Sequence, residues 1–133
     1  MPFPQPMARP RPRQRIVEDR KTVACLYAHN GRFLVLLGET DTYIATVSHP
    51  QEALPAITAF YAHIDTMRAA HVAQSDWLQA DEDDFDTRLD NREPVTLEAR
   101  IALEDRKRDL ERTEVYLDHC DHYRPTSLKT PSD

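Results

Sequence analysis

A run of acidic side chains is the densest group of potential metal or partner ligands in this sequence. Five carboxylates surround Phe85 within six residues. Calcium loops space their carboxylate ligands around a sharp turn that needs a glycine, and the chain has no glycine after Gly38. We therefore interpret the run either as a solvated acidic connector or as a docking patch for a basic partner. The candidate partner-binding residues are Asp81, Glu82, Asp83, Asp84 and Asp86.

Histidine and cysteine side chains offer a second possible chemistry. His119 and His122 share a helix face because they are three residues apart, and Cys120 lies between them. A structural zinc site needs four ligands, and the chain has no CxxC or HxxxH pair to complete one. His71 falls on an apolar stripe, where we expect a hydrogen-bonded core or interface histidine. The sequence therefore predicts no metal and no cofactor.

Motifs typical of catalysis are missing from the rest of the sequence. The only glycines are Gly31 and Gly38, so neither a glycine-rich phosphate loop nor a GxSxG nucleophile turn is possible. Cys25 and His71 could act as nucleophile and base, but both lie in apolar segments that predict inert burial. We therefore expect a protein that is not an enzyme.

Arginines and prolines dominate the N-terminal segment. Proline excludes a helix there, and we assign residues 1–20 to a flexible arm. Residues 1–15 hold four arginines and no acid, and because the whole chain is -6, the remainder is -10. The arm is either a solvated tail or an anchor for an acidic groove or nucleic acid. Its candidate residues are Arg9, Arg11, Arg13 and Arg15.

Residues 22–47 predict a three-stranded antiparallel β-meander, around which the other elements are arranged. Asn30 and Gly31 join two apolar runs, and this dipeptide favours a type I′ hairpin turn because both residues tolerate positive φ. Such a turn fixes the register of the flanking strands. It places His29 opposite Arg32, Ala28 opposite Phe33, Tyr27 opposite Leu34, Leu26 opposite Val35 and Cys25 opposite Leu36.

The third strand is predicted to follow a turn at residues 40–41. That turn would place Gly38 opposite Tyr43 and Leu37 opposite Ile44. Both faces of the resulting sheet are apolar, whereas a sheet with one face in water alternates apolar and polar residues. The sheet should therefore be covered on both faces, by helices or by a second copy of the chain. One face carries Val23, Cys25, Tyr27, Leu34, Leu36, Tyr43, Ala45 and Val47, and the other carries Ala24, Leu26, Ala28, Phe33, Val35, Leu37 and Ile44.

Two helices are predicted after the sheet. The first spans about residues 51–74 and ends where Ser75 caps a short turn containing Trp77 and Leu78, which the acidic run follows. Thr96 is a plausible N-cap for a long helix over residues 97–123. Leucines repeat every seven residues along it, at Leu103, Leu110 and Leu117, as in a coiled-coil seam.

These patterns predict an α+β fold, a βββα unit with a long C-terminal helix, in a single domain over residues 21–123 with a polar tail at 124–133. No apolar run is long enough to span a membrane, and we expect a cytoplasmic protein. The expected function is that of a small acidic binding module, an inhibitor, immunity protein or chaperone-like adaptor of phage or mobile-element type. We expect a homodimer that docks on a basic or nucleic-acid-binding protein. The alternative is a nucleic-acid accessory protein that uses the arginine arm.

Overall fold

A computed structural model describes residues 11–128, and the fold is α+β, as predicted. Four strands precede two long helices. The strands are β1 (Gln14–Glu18), β2 (Lys21–His29), β3 (Arg32–Leu37) and β4 (Tyr43–Val47), and after a short 3-10 turn (Pro50–Glu52) the helices are α1 (Ala53–Asp90) and α2 (Leu97–His122). The described residues divide into two compact units, a sheet unit of residues 11–61 with 123–128 and a second unit of residues 62–122. None of the helices within residues 11–128 combines the length and apolarity needed to cross a bilayer.

The sheet has four strands in the order β1-β2-β3-β4, not the three that we predicted. The additional strand is β1, which lies within the range assigned to the flexible arm. It pairs antiparallel with β2 through a tight turn in which Asp19 and Arg20 have φ of 51° and 63°. Non-glycine residues adopt this conformation infrequently, so the sequence carried no recognisable turn signal.

The β2–β3 hairpin has the predicted register, from His29 opposite Arg32 to Cys25 opposite Leu36. Asn30 and Gly31 have φ of 50° and 75°, as a type I′ turn requires. The central hairpin of the sheet is therefore specified by local sequence.

The pairing of β4 differs from the prediction. Tyr43 lies opposite Leu36, whereas we placed it opposite Gly38 with Ile44 opposite Leu37. Leu36 lies opposite Tyr43 and Val35 opposite Ala45, so β4 has one extra residue, Ile44, which is the signature of a β-bulge. A bulge reverses the alternation of side chains, so the residues beyond it, Ala45 and Val47, point to the face opposite to the one predicted.

The loop between β3 and β4 explains this shift. Thr40 donates its hydroxyl to the Leu37 carbonyl oxygen at 2.6 Å and accepts the Thr42 N–H at 3.2 Å. The Leu37 N–H in turn donates to the Thr42 carbonyl oxygen at 2.9 Å. These bonds stabilise a loop over residues 38–42, which is longer than the turn we assumed.

Both faces of the sheet contain buried apolar residues. On the first, which we call the core face, exposure is 0% at Ala24, Leu26, Val35 and Leu37. The opposite Cys25 face carries a separate cluster drawn from strand residues alone, namely Cys25, Tyr27 and Leu36 with Leu34 packed against them.

The start of α1 supplies the helical part of the first unit's core. Ala53, Ile57 and Tyr61 recur every four residues and are each 1% exposed. This spacing lines them along one side of the helix, the pattern of an amphipathic helix that covers a sheet. Arg124, from the segment after α2, stacks on the Tyr61 ring at 4.7 Å from its centroid.

Helix α1 is much longer than predicted. It continues through Ser75 and through the whole acidic run to Asp90. The prediction of a helix over 51–74 and a connector after it was therefore wrong. No proline or glycine lies between Pro55 and Pro94, so no residue in this stretch breaks the helix.

The second unit contains the rest of α1, a short loop and α2, and we call residues 62–122 the helical hairpin. Thr96 caps α2 as expected, since its Oγ1 accepts the Ala99 N–H at 3.1 Å. His71 Nε2 lies 3.0 Å from the Leu110 carbonyl oxygen, so His71 is the hydrogen-bonded histidine that we expected. Arg68 and Asp121 form an ion pair across the helices.

The described part of the predicted C-terminal tail is tied to the sheet. Ser127 donates its backbone N–H to Glu18 at 2.8 Å, and Thr126 donates its hydroxyl to Asp19. Lys21 donates to the Arg124 carbonyl oxygen at 3.1 Å. Residues 124–128 thus bind the β1–β2 turn.

Candidate functional site

The acidic run lies on α1 inside the helical hairpin, where three of its five carboxylates form ion pairs and a fourth accepts a hydrogen bond. Asp81 pairs with Arg106 of α2. Glu82 lies 2.8 Å from the Lys107 Nζ, also on α2. These pairs join the two helices and offset the repulsion among neighbouring acids.

The other three members of the run contact α1 itself or solvent. Asp84 pairs with Arg88 one turn later at 3.2 Å. Asp83 accepts a hydrogen bond from the Gln79 amide at 3.1 Å. Asp86 is exposed and forms no ion pair with the residues that the structure describes. Among the candidate partner-binding acids, Asp83 and Asp86 therefore keep their charges least compensated.

Charge is divided sharply between the two units. The helical hairpin contains 17 acidic residues and 8 lysines and arginines, a net charge of -9. Because the whole chain is -6, the remaining residues carry +3. The acidic character that the sequence showed for the whole body thus belongs to the helical hairpin.

A groove with an exposed tryptophan runs along one side of the hairpin. Trp77 is 71% exposed, although tryptophan is the largest apolar side chain. It borders a hollow of about 350 Å³ between α1 and α2. We call this the Trp77 groove, and its lining residues are Gln74, Trp77, Arg106, Asp109, Leu110 and Thr113.

A second hollow, of about 290 Å³, continues towards the loop that joins the helices. Arg106 lines both hollows, and Asp81, its ion-pair partner, lines the second. Phe85 and Leu103 supply apolar surface there. An apolar strip flanked by charges therefore follows the seam between the helices.

Sequence reasoning missed Trp77, which we assigned to a short turn. A signal was available: Leu78 continues the apolar stripe of α1 and is 8% exposed, whereas Trp77 is about 100° away from it around the helix. An aromatic residue beside the buried stripe, not on it, indicates a surface contact.

The histidine and cysteine cluster at the end of α2 has structural contacts. Cys120 is fully buried, and Asp121 is paired with Arg68. Burial, together with the neighbouring Cys120 thiol, raises the pKa of Tyr116 to about 12. Over residues 11–128, no three histidine, cysteine, aspartate or glutamate side chains are grouped closely enough to hold a metal ion.

Three of the four arginines of the predicted arm, Arg11, Arg13 and Arg15, are among the residues that the structure describes. Arg9 lies outside the described residues, and Arg11 and Arg13 precede β1. Arg15 lies in β1 opposite Cys25, with its Nε 3.8 Å from Glu39. Burial raises the pKa of the Cys25 thiol, and the Arg15 guanidinium acts in the lowering direction.

Comparisons with protein-family models, with curated proteins and with solved structures give no match to this chain. Its function is therefore inferred from its own residues.

Proposed function

We propose that this chain is a non-enzymatic binding module whose acidic helical hairpin docks on a basic protein. The observation that carries the proposal is Trp77, 71% exposed beside a hollow of about 350 Å³ in a unit of net charge -9. Such a module could act as an inhibitor, an immunity protein or an adaptor. All three act by occupying a partner's surface.

Trp77 supplies the apolar part of the expected contact. An aromatic side chain buries roughly 150–250 Å² on complete burial. Trp77 still exposes 71% of its surface, so at about 25 cal/mol per Å² its burial by a partner corresponds to a gross gain of about 3–4 kcal/mol. Tryptophan is also enriched among the few residues that dominate interface energetics. An apolar side chain of the partner would enter the groove beside the Trp77 ring.

The charge of the hairpin selects the kind of partner. A basic surface is attracted to a unit of charge -9, and this attraction accelerates association and weakens with salt. Two copies of the hairpin would repel each other for the same reason. The partner at the groove is therefore a basic protein and not a second hairpin.

The test is affinity capture from the source cells with the immobilised full chain and two matched variants. Trp77→Ser removes the exposed ring in the groove. Val115→Ser removes a side chain that is 68% exposed on α2 outside the groove, and serves as the control. We expect a basic protein to be retained by the wild-type chain and by Val115→Ser, and to be depleted at least about 10-fold with Trp77→Ser. Equal retention by all three chains would refute the role of the groove.

Charge variants test the electrostatic part. Asp83→Asn with Asp86→Asn removes two carboxylates that do not join the helices, so the hairpin should keep its fold. We expect weaker capture and a shallower loss of capture with added salt. Neutralising Asp81 or Glu82 would also break the ion pairs to α2, and so could not distinguish docking from folding.

The homodimer stays a prediction that rests on the apolar residues of both sheet faces in the sequence, because the Cys25 cluster is already 1–9% exposed within one chain. Light scattering on the full chain would measure the mass directly. A monomer at micromolar concentration would remove the homodimer from the proposal and leave the docking of the hairpin intact.

A further inference from the structure

The Cys25 face carries an arginine at one edge of the sheet and an exposed tyrosine at the other. Arg15, Cys25, Leu36 and Tyr43 are successive cross-strand partners on β1 to β4. With strands about 4.8 Å apart, this row spans about 14 Å. Cys25 and Leu36 are buried within the chain, at 1% and 9% exposure, while Tyr43 is 56% exposed at the end of the row.

Two more arginines extend the basic edge. Arg11, Arg13 and Arg15 line one shallow hollow of about 480 Å³, and all three side chains are exposed. The Arg13 N–H donates to the Leu26 carbonyl oxygen at 2.7 Å, which fixes this segment beside β2. The backbone that carries Arg13 and Arg15 therefore runs along the edge of the sheet.

The arginines of this hollow lie towards one end of the sheet, whereas the other end carries acids together with the cations Arg20 and Lys21. Because β1 runs antiparallel to β2, the residues before β1 lie towards the Asn30–Gly31 turn. Arg32 lies at that turn, and the alternation of β3 places it on the Cys25 face. The turns at the other end carry the acids Glu18, Asp19, Glu39 and Asp41.

We propose that the Cys25 face binds single-stranded nucleic acid. Arg11, Arg13 and Arg15 would hold phosphates, since a guanidinium matches phosphate geometry with paired N–H donors. A base would stack on Tyr43, as bases do on the aromatic platforms of single-strand-binding sheets. This site is on the sheet unit and is independent of the docking proposed for the helical hairpin.

Glu39 provides an internal competitor for the ligand. Its carboxylate lies 3.8 Å from the Arg15 Nε, where a phosphate would bind. Removing that carboxylate should free Arg15 for the ligand. Glu39→Gln is therefore expected to bind nucleic acid several-fold more tightly than the wild-type chain. Glu93→Gln, in the helical hairpin, makes the same change in net charge and is the control, which should bind as the wild type does.

The experiment is fluorescence anisotropy of the full chain with a labelled single-stranded DNA of about 16 nucleotides. Three phosphate contacts predict a fall in affinity of about 20-fold between 50 mM and 200 mM salt.

Arg13→Gln should weaken binding about 5- to 10-fold at 50 mM salt. Arg20→Gln, which removes a positive charge at the opposite end of the sheet, is the control and should bind as the wild type does. Tyr43→Ala should weaken binding at least about 5-fold, and Tyr43→Phe should preserve it.

Several results would overturn this proposal. One is no change in anisotropy at 50 mM salt with protein up to about 100 µM. Equal effects of Arg13→Gln and Arg20→Gln would show a response to net charge and not a site. Binding of a polyglutamate peptide without binding of the oligonucleotide would assign the face to an acidic protein. A dimer that Tyr43→Ala dissociates would assign it to a second copy. None of these outcomes bears on capture through the Trp77 groove.

Discussion

Replacing Gly38 with alanine should destabilise the sheet unit, and Gly31 provides a matched control. Both glycines have positive φ, 54° and 75°, which costs an L-residue roughly 1–2 kcal/mol. They differ in surroundings: a Cβ at Gly38 would lie 2.4 Å from two ring carbons of Tyr123, whereas a Cβ at Gly31 meets nothing within 4 Å. Overpacking typically costs a further ~1–3 kcal/mol. We therefore expect losses of about 2–5 kcal/mol for Gly38→Ala and about 1–2 kcal/mol for Gly31→Ala.

Urea unfolding followed by far-ultraviolet circular dichroism measures these losses. With an m-value of about 2 kcal/mol/M, the two variants should differ in midpoint by about 0.5–1.5 M. A double-mutant cycle with Tyr123→Leu identifies the cause, because the smaller side chain should remove most of the steric part of the Gly38→Ala penalty. Equal midpoints for Gly38→Ala and Gly31→Ala would refute the close packing of Tyr123 on this turn.

Three further predictions concern ion pairing and buried groups. A double-mutant cycle on Glu82 and Lys107 should give a coupling of about 0.2–1 kcal/mol in unfolding free energy, and no coupling would mean that the pair does not hold the hairpin together. The fold raises the pKa of Tyr116 from 10.0 to about 12, so its stabilising effect is complete below pH 10 and is lost as the pH rises towards 12. Thermal melts should therefore show that Tyr116→Phe loses less stability than the wild type in that window, and parallel losses would contradict the shift. Because Cys25 and Cys120 are 1% and 0% exposed, Ellman's reagent should titrate neither thiol in the native chain and both after denaturation.

The elements that the sequence predicted correctly are those with local signals. The Asn30-Gly31 turn determined the register of β2 and β3, and the Thr96 cap marked the start of α2. In each case the residues that determine the structure are adjacent in sequence, so pattern reasoning could find them.

The elements that were missed depend on contacts between distant residues. The turn before β2 uses Asp19 and Arg20 in a conformation that neither residue prefers, and the C-terminal segment binds that turn through Thr126 and Ser127. The extra residue at Ile44 is likewise invisible in an apolar pattern. No local rule predicts these pairings.

The candidate site was partly predictable. The acidic run was found, but its ion pairs with Arg106 and Lys107 were not predicted, because those residues lie in another helix. The role of Trp77 depends on the same pairing of helices, because the groove exists only between them. The sequence identified the arginines of the arm as candidate binding residues, but it did not predict that Arg15 lies in an edge strand of the sheet.

The segment after α2 has a consequence for how the protein is made. The sheet unit is built from residues on both sides of the helical hairpin, since residues 124–128 bond to the β1–β2 turn. During translation the hairpin emerges from the ribosome before those residues do. The β1–β2 turn therefore lacks these partners until the whole hairpin has been synthesised, and the sheet unit is completed only when residues 124–128 have emerged.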